Sequence, residues 1–270
     1  MTLTIGVGQM NSRDNKEKNL ASAEELIREL AAKGAKLIML PEHFNFLGPE
    51  ARRRESAEPI DQSPSLDRMC NLAVKLNVYV HIGSYLERDG SSFFNTGVVF
   101  APSGQRIARY RKIHLFDVEI PGGKCYRESD TITPGSEVVT FSIGKFRFGM
   151  ATCYDLRFPE LFRRLNAMGT DAILLPAAFT LQTGRDHWEL LLRARAVENL
   201  CWLAAAAQCG LAPPDHLTYG RSMVINPWGL VVCQAPDGAA TITAQLDRET
   251  IAEIRTRFPA HRHIRRDLFP

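Results

Sequence analysis

Apolar runs of strand length alternate along this chain with longer stretches of mixed polarity. Leu3–Gln9 reads as a short buried strand, and Asp14 with Glu17 forms a D-x-x-E cap that opens a helix closed by Gly34. Lys36–Leu40 is the next strand. A strand, a helical crossover and a second strand make a βαβ-like unit, so the residues just after the second strand fall at the carboxyl edge of a sheet. Glu42 is one of them. Further on, Leu66–Leu76 reads as a helix, and Val78–Tyr85, Phe94–Ala101 and Ile107–Lys112 as strands separated by turns that contain glycine. Alternation along Arg106–Phe116 (RIARYRKIHLF) puts Arg109, Arg111 and Ile113 on one side and Tyr110 and Lys112 on the other. Phe146–Thr152 is again a strand, and Asp155–Pro159 enters a helix that runs to about Met168.

The pattern repeats in the letters themselves. Leu37–Phe44 (LIMLPEHF) echoes Ala172–Phe179 (AILLPAAF), and Val98–Gly104 (VVFAPSG) echoes Met223–Gly229 (MVINPWG), in the same order and at offsets of 172−37 = 135 and 223−98 = 125. Two topologically similar halves follow, each a sheet with helices on one face; pairing them sheet to sheet gives an α/β fold of four layers, an α-β-β-α sandwich of two pseudo-symmetric halves. The 270 residues exceed the usual ~100–200 per domain yet fit one large α/β domain, so residues 1–270 are expected to form a single unit. Pro121–Lys124 and Leu211–Asp215 are too short to be linkers and read as loops over a site.

Composition narrows the partners. Hydrophobic residues make up 45% and charged residues 23%, ordinary for a folded protein. With 33 basic against 30 acidic side chains the net charge is +3, too even to attract a phosphate backbone, and nucleic acid is not an expected partner. The basic run His261–Arg266 reads as a solvated tail or a subunit contact. The six cysteines form no C-x-x-C pair and have no histidine at zinc spacing, which argues for thiols and against a metal centre. The N-terminus lacks a basic stretch followed by a long apolar run, and no window reaches the ~18 apolar residues of a membrane span. A cytoplasmic protein without a membrane partner is the expectation.

Cys153 holds the most telling position, on a tight strand-to-helix turn that lifts its sulfur out of the sheet and brings backbone N–H groups, that of Tyr154 among them, toward a developing oxyanion. A small buried hydrophobe is the ordinary role of a cysteine and suffices for Cys70, Cys201, Cys209 and Cys233; Cys125, in a glycine-rich loop, stays open. A thiol nucleophile needs a base, and Glu42, leaving a buried strand and a proline, is placed to be partly desolvated, with its pKa raised toward the range where it takes and returns a proton. A lysine that leaves a strand toward an interior is costly unless carboxylates pair with it; Lys112 is such a lysine, and Glu128 is placed to hold its ammonium.

The three segments LPEHF, RKIHLFD and ATCYDLRFPE, in this order, resemble the Glu, Lys and Cys signatures of the nitrilase (carbon–nitrogen hydrolase) superfamily, and the similarity runs on through RARAVEN and SMVINPWG. The resemblance implies Glu42 as general base, Lys112 as transition-state stabiliser, Cys153 as nucleophile and Glu128 as the second glutamate. It also implies an enzyme without cofactor or metal, assembled as a homodimer or larger homo-oligomer, often through the helix Phe158–Met168. Within the superfamily KIHLFDVEIPG, AAFTLQTGRDHWELLLRARAVEN and AAAAQCG are most similar to the branch of deaminated glutathione amidase and omega-amidase. His43 lies outside the signature. That branch implies hydrolysis of a small carboxylated amide, deaminated glutathione first and 2-oxoglutaramate or 2-oxosuccinamate as the alternative, with the nitrogen released as ammonia. Substrate contacts are expected from Tyr154, Phe179, Thr180 and His187, whereas Arg193, Arg195 and Glu198 fall at helical spacing as a structural ion-pair network. A catalytically silent binding protein on the same fold is the competing class, and a redox-sensing thiol protein would need Cys125 or Cys209 as resolving partner.

Overall fold

A computed structural model describes residues 1–119, 125–265 and 267–268. The loop expected at Pro121–Lys124, and Arg266 of the basic run, lie outside the described residues. One sheet runs, in spatial order, Ala240–Asp247, Thr2–Gln9, Leu37–Met39, Tyr79–His81, Ser92–Phe100 and Tyr85–Asp89, with Arg106–Arg111 also paired to Ser92–Phe100. The other runs Val231–Gln234, Met223–Ile225, Trp202–Ala207, Ala172–Ala177, Phe146–Met150 and Thr140–Ile143.

The two sheets share one plan. In the first, Thr2–Gln9, Leu37–Met39 and Tyr79–His81 are parallel and Ser92–Phe100 runs antiparallel to them; in the second, Phe146–Met150, Ala172–Ala177 and Trp202–Ala207 are parallel and Met223–Ile225 runs antiparallel. The echoed segments therefore mark, in each half, the second parallel strand and the antiparallel strand that pairs with the third. Parallel neighbours need a crossover, supplied by helices Lys16–Ala32 and Pro64–Leu76 in one half and Pro159–Ala167 and Leu181–Asn199 in the other. The last strand, Ala240–Asp247, crosses back to pair antiparallel with the first, from Thr2 opposite Asp247 to Gln9 opposite Ala240.

Burial follows this plan. The inner faces of the two sheets meet in a core that includes Val7, Leu37, Met39, Phe146, Phe148 and Leu174, while separate cores join each sheet to its helices. The result is the expected succession of helix, sheet, sheet and helix. Among the described residues no helix is long and apolar enough to cross a membrane.

Three expected elements differ, each for a local reason. The helix after the first strand is capped by Asn15, whose side chain accepts from Lys18 N at 3.0 Å, while Asp14 takes Arg52 instead. The run expected as one strand over Val78–Tyr85 breaks: Tyr79–His81 ends, and Gly83, at φ +73°, carries the chain past the Pro41 carbonyl. A Cβ there would lie 1.9 Å from Pro41 O, so only glycine permits the approach. The helix expected after Cys153 splits into a 3-10 turn over Cys153–Arg157 and a helix over Pro159–Ala167, because Pro159 lacks the N–H to continue the turn and starts a new helix.

Candidate active site

Glu42 leaves the end of strand Leu37–Met39 through Leu40 and Pro41, and the chain then turns at His43, a residue at φ +58°. The Ser84 hydroxyl accepts from His43 N at 3.1 Å, and Gln208 Nε2 donates to Glu42 O at 2.8 Å, so the turn is pinned from both sheets. These bonds aim the carboxylate inward, where it is 2% exposed. Its Oε1 accepts from Asn95 Nδ2 at 2.8 Å and from Lys112 Nζ at 3.2 Å, and its Oε2 from the backbone N–H of Ala178 at 2.8 Å. Ala178 follows Ala172–Ala177, the strand that echoes the one before Glu42, so the equivalent edge of the second half steadies the carboxylate of the first.

Lys112 follows strand Arg106–Arg111, and the alternation places it, like Tyr110, on the buried face. Its ammonium also donates to Glu128 Oε2 at 2.7 Å, and Phe116 N donates to the same oxygen at 2.8 Å. Cys153 sits at φ +49° on its turn and lines the same cavity as Glu42, Lys112 and Glu128. The four side chains singled out in the sequence are thus brought together.

Electrostatics decide their charge states. Burial pushes the Glu42 carboxyl up, but Lys112, His43 and the bonds from Cys153 and Asn95 outweigh it and hold the group down at about 2. The expectation of a raised carboxyl is therefore corrected: a buried carboxylate that keeps an ammonium at 3.2 Å stays ionised. Glu128 is likewise held low, because Lys112 outweighs its burial. Burial works against the Lys112 charge, and Glu128 and Glu42 overcome it, so the ammonium is held well above its usual range. Burial, and then the Glu42 carboxylate, push the Cys153 thiol up. The resting site is a neutral thiol against a carboxylate, beside an ammonium shared by two glutamates.

These groups line a cavity of about 370 Å³. Tyr154, Phe179 and Thr180 line it as expected, together with Pro213, Pro214 and Asp215 from the loop read as covering a site. His187 does not line it. It is exposed on helix Leu181–Asn199, with Nδ1 3.4 Å from Arg157, because its neighbour Trp188 takes the buried face of that helix. Arg195 and Glu198 pair at 3.2 Å, in keeping with a structural network. Glu42, His43 and Glu128 bring ligand-type atoms within 4.8 Å of one another, yet the Lys112 ammonium already bonds both carboxylates and supplies the cation a metal would.

Several residues of the site escape the sequence reading. His43, adjoining Glu42 at 3.7 Å, and Arg53, 3.4 Å from His43 and 3.8 Å from Glu128, form one wall. Asp155, fully buried, accepts from Thr152 N at 2.8 Å, Tyr110 Oη at 2.6 Å and His114 N at 3.0 Å, and its Oδ1 lies 2.7 Å from His114 Nδ1. It ties the nucleophile turn to the segment that carries Lys112. The available signal was a polar residue inside apolar surroundings: Asn95 in SFFNTGVVF and Asp155 two residues after the cysteine.

The model of the family described as carbon-nitrogen hydrolase matches residues 4–256. The deaminated glutathione amidase of Synechocystis sp. is 38% identical over 260 residues, covering 94% of this chain and 95% of that protein. The omega-amidase of Homo sapiens is 38% identical over 261 residues, covering 97% and 94%. The crystal structure of the C. elegans NitFhit protein superposes with a TM-score of 0.92 at 36% identity, covering all of this chain and 66% of that longer one. With a family match over nearly its whole length and relatives this similar, the chain belongs to the carbon–nitrogen hydrolase family and is a hydrolase of carbon–nitrogen bonds other than peptide bonds.

Proposed function

We propose that this chain hydrolyses a small carboxylated amide through a thioester on Cys153, and that deaminated glutathione is its preferred substrate. The observation that carries the reading is the convergence of a thiol, an ionised carboxylate and a shared ammonium in the lining of one cavity. Glu42 takes the Cys153 proton as the sulfur attacks the amide carbon; the carbonyl π pair moves to oxygen, and Lys112 with the Tyr154 N–H receives that oxyanion. As the oxyanion collapses, the C–N bond breaks and the nitrogen leaves with the proton held by Glu42. Water then adds to the thioester, Glu42 accepts its proton, and the sulfur departs as a thiol carrying that proton. A primary amide such as 2-oxoglutaramate releases ammonia in the first stage; for deaminated glutathione the expectation of ammonia is corrected, because its amide is secondary and releases the amine of cysteinylglycine.

Arg53 and Arg127 line the cavity and are cations suited to a carboxylate, and its volume leaves room for a peptide tail beyond the reacting carbonyl. The similarity to a deaminated glutathione amidase and to an omega-amidase at equal identity leaves 2-oxoglutaramate as the second substrate. Assembly as a homodimer or larger homo-oligomer and a cytoplasmic location belong to the same proposal. Both amides yield 2-oxoglutarate, so one assay of that product compares them directly. Deaminated glutathione is expected to give the higher kcat/KM, and Cys153→Ala to abolish turnover of both while leaving the fold intact. Turnover by the Ala variant would refute the nucleophile, and a preference for 2-oxoglutaramate would reverse the substrate order.

A further inference from the structure

Asn95 touches all three charged members of the site. It lies in strand Ser92–Phe100, at a position facing the other sheet, and is 1% exposed. Its backbone carbonyl accepts from Lys112 N at 2.9 Å, which fixes where the lysine leaves its strand. Its side-chain amide donates to Glu42 Oε1 at 2.8 Å and lies 3.3 Å from Glu128 Oε1. Lys112 bridges the same two carboxylates from Nζ. An amide and an ammonium thus span the pair together, and the amide does so without adding charge.

Two buried carboxylates this close repel each other, and one ammonium cannot satisfy all four of their oxygens. A neutral donor between them favours both ionised forms, whereas a second cation there would lower the basicity of Glu42 further and weaken it as a proton acceptor. We infer that Asn95 is a positioning residue for the base: its amide spans Glu42 and Glu128 and holds the Glu42 carboxylate in place to take the Cys153 proton. The inference rests on Glu42 acting as the base. The charged and titratable groups facing that carboxylate are Lys112 from the neighbouring strand end, Glu128 from the 3-10 turn, His43 and Arg53 from the segment after Glu42, and Cys153 from the second sheet. Removing the amide leaves these in place and takes away one of the bonds that fix the orientation of the Glu42 carboxylate. The Asn95 bond is one of the contacts that hold Glu42 low.

The test needs no knowledge of the natural amide. Alkylation of Cys153 by iodoacetamide, followed against pH, reports how readily the base accepts the thiol proton. Unsubstituted protein is expected to react at a nearly constant rate from pH 7 down to about pH 5. Asn95→Leu removes both donations in a similar volume and is expected to slow alkylation by about tenfold or more throughout that range. Asn95→Asp, which keeps the shape and replaces the donor by a third carboxyl, is expected to slow it at least as much, whereas Asn95→Gln, able to donate, restores part of the loss. Unchanged rates in both the Leu and Asp variants would reduce Asn95 to a packing role and overturn the inference. Should the Leu variant not fold, the Asp and Gln pair carries the same comparison, and equal rates for those two would overturn it. Inert Cys153 in the unsubstituted protein would instead strike at the proposed nucleophile.

Discussion

At the scale of single residues, the site works by setting which group holds the proton. Lys112 stabilises the ionised form of two buried glutamates and, in the proposed reaction, the oxyanion as well. Replacing it by methionine removes both services at once. The oxyanion role predicts a fall in kcat of about 10²–10³. The pairing role predicts about 3–5 kcal/mol less stability, because Glu42 and Glu128 are left buried without their cation. Rate measurements on 2-oxoglutaramate and urea unfolding of Lys112→Met separate the two effects: a near-normal kcat with a large loss of stability would leave the lysine a purely structural ion. Glu42, Lys112 and Cys153 were legible in the sequence because each stands where a strand ends, and strand ends can be read from local pattern. The direction of the Glu42 shift was not legible, since it is set first by Lys112, 70 residues away in the chain.

Elements were legible where local pattern alone decides them. The internal echoes identified matching strands of the two halves because parallel strands buried on both faces demand similar apolar runs. What escaped has a tertiary cause: the break at Gly83 exists because the Pro41 carbonyl passes close by, and Asp155 finds partners at Tyr110 and His114, 45 and 41 residues away. That cluster is the main polar tie between the nucleophile turn and the strand that delivers Lys112. Tyr110→Phe deletes one donor to a fully buried carboxylate and keeps the ring packing. A loss of about 1–3 kcal/mol is expected, read from the urea midpoint. A change within about 0.5 kcal/mol, the size common for surface substitutions, would mean that the remaining donors satisfy Asp155 by themselves.

At the scale of the whole molecule, the buried titratable groups confine stability to a window of pH. Burial holds His43 and His81 down at about 4, against an ordinary value near 6.5, and His81 Nδ1 accepts from Gly83 N, which fixes its neutral form. Between those values the unfolded chain binds protons that the folded chain refuses. The stabilisation is therefore complete above pH 6.5 and is lost as pH falls toward 4, with a slope reaching about 2.7 kcal/mol per pH unit for two such groups. Glu42, held at about 2, and Glu128, also held low, act further down: their contribution is present above the ordinary carboxyl value and vanishes as pH drops toward 2. On the alkaline side, burial pushes Cys209 up to about 11 and Cys201 up to about 12 from a usual 9, so the folded chain keeps protons that the unfolded chain releases and stability declines above pH 9. Urea midpoints followed by circular dichroism should form a plateau from about pH 6.5 to 9 with a steep acid flank. His81→Asn keeps an acceptor near the position of Nδ1 but cannot titrate, so the slope between pH 6.5 and 4 should fall from two protons toward one. An acid flank that begins only below pH 5, unaltered by this substitution, would show that the interior admits charged imidazolium and would remove histidine from the account of acid unfolding.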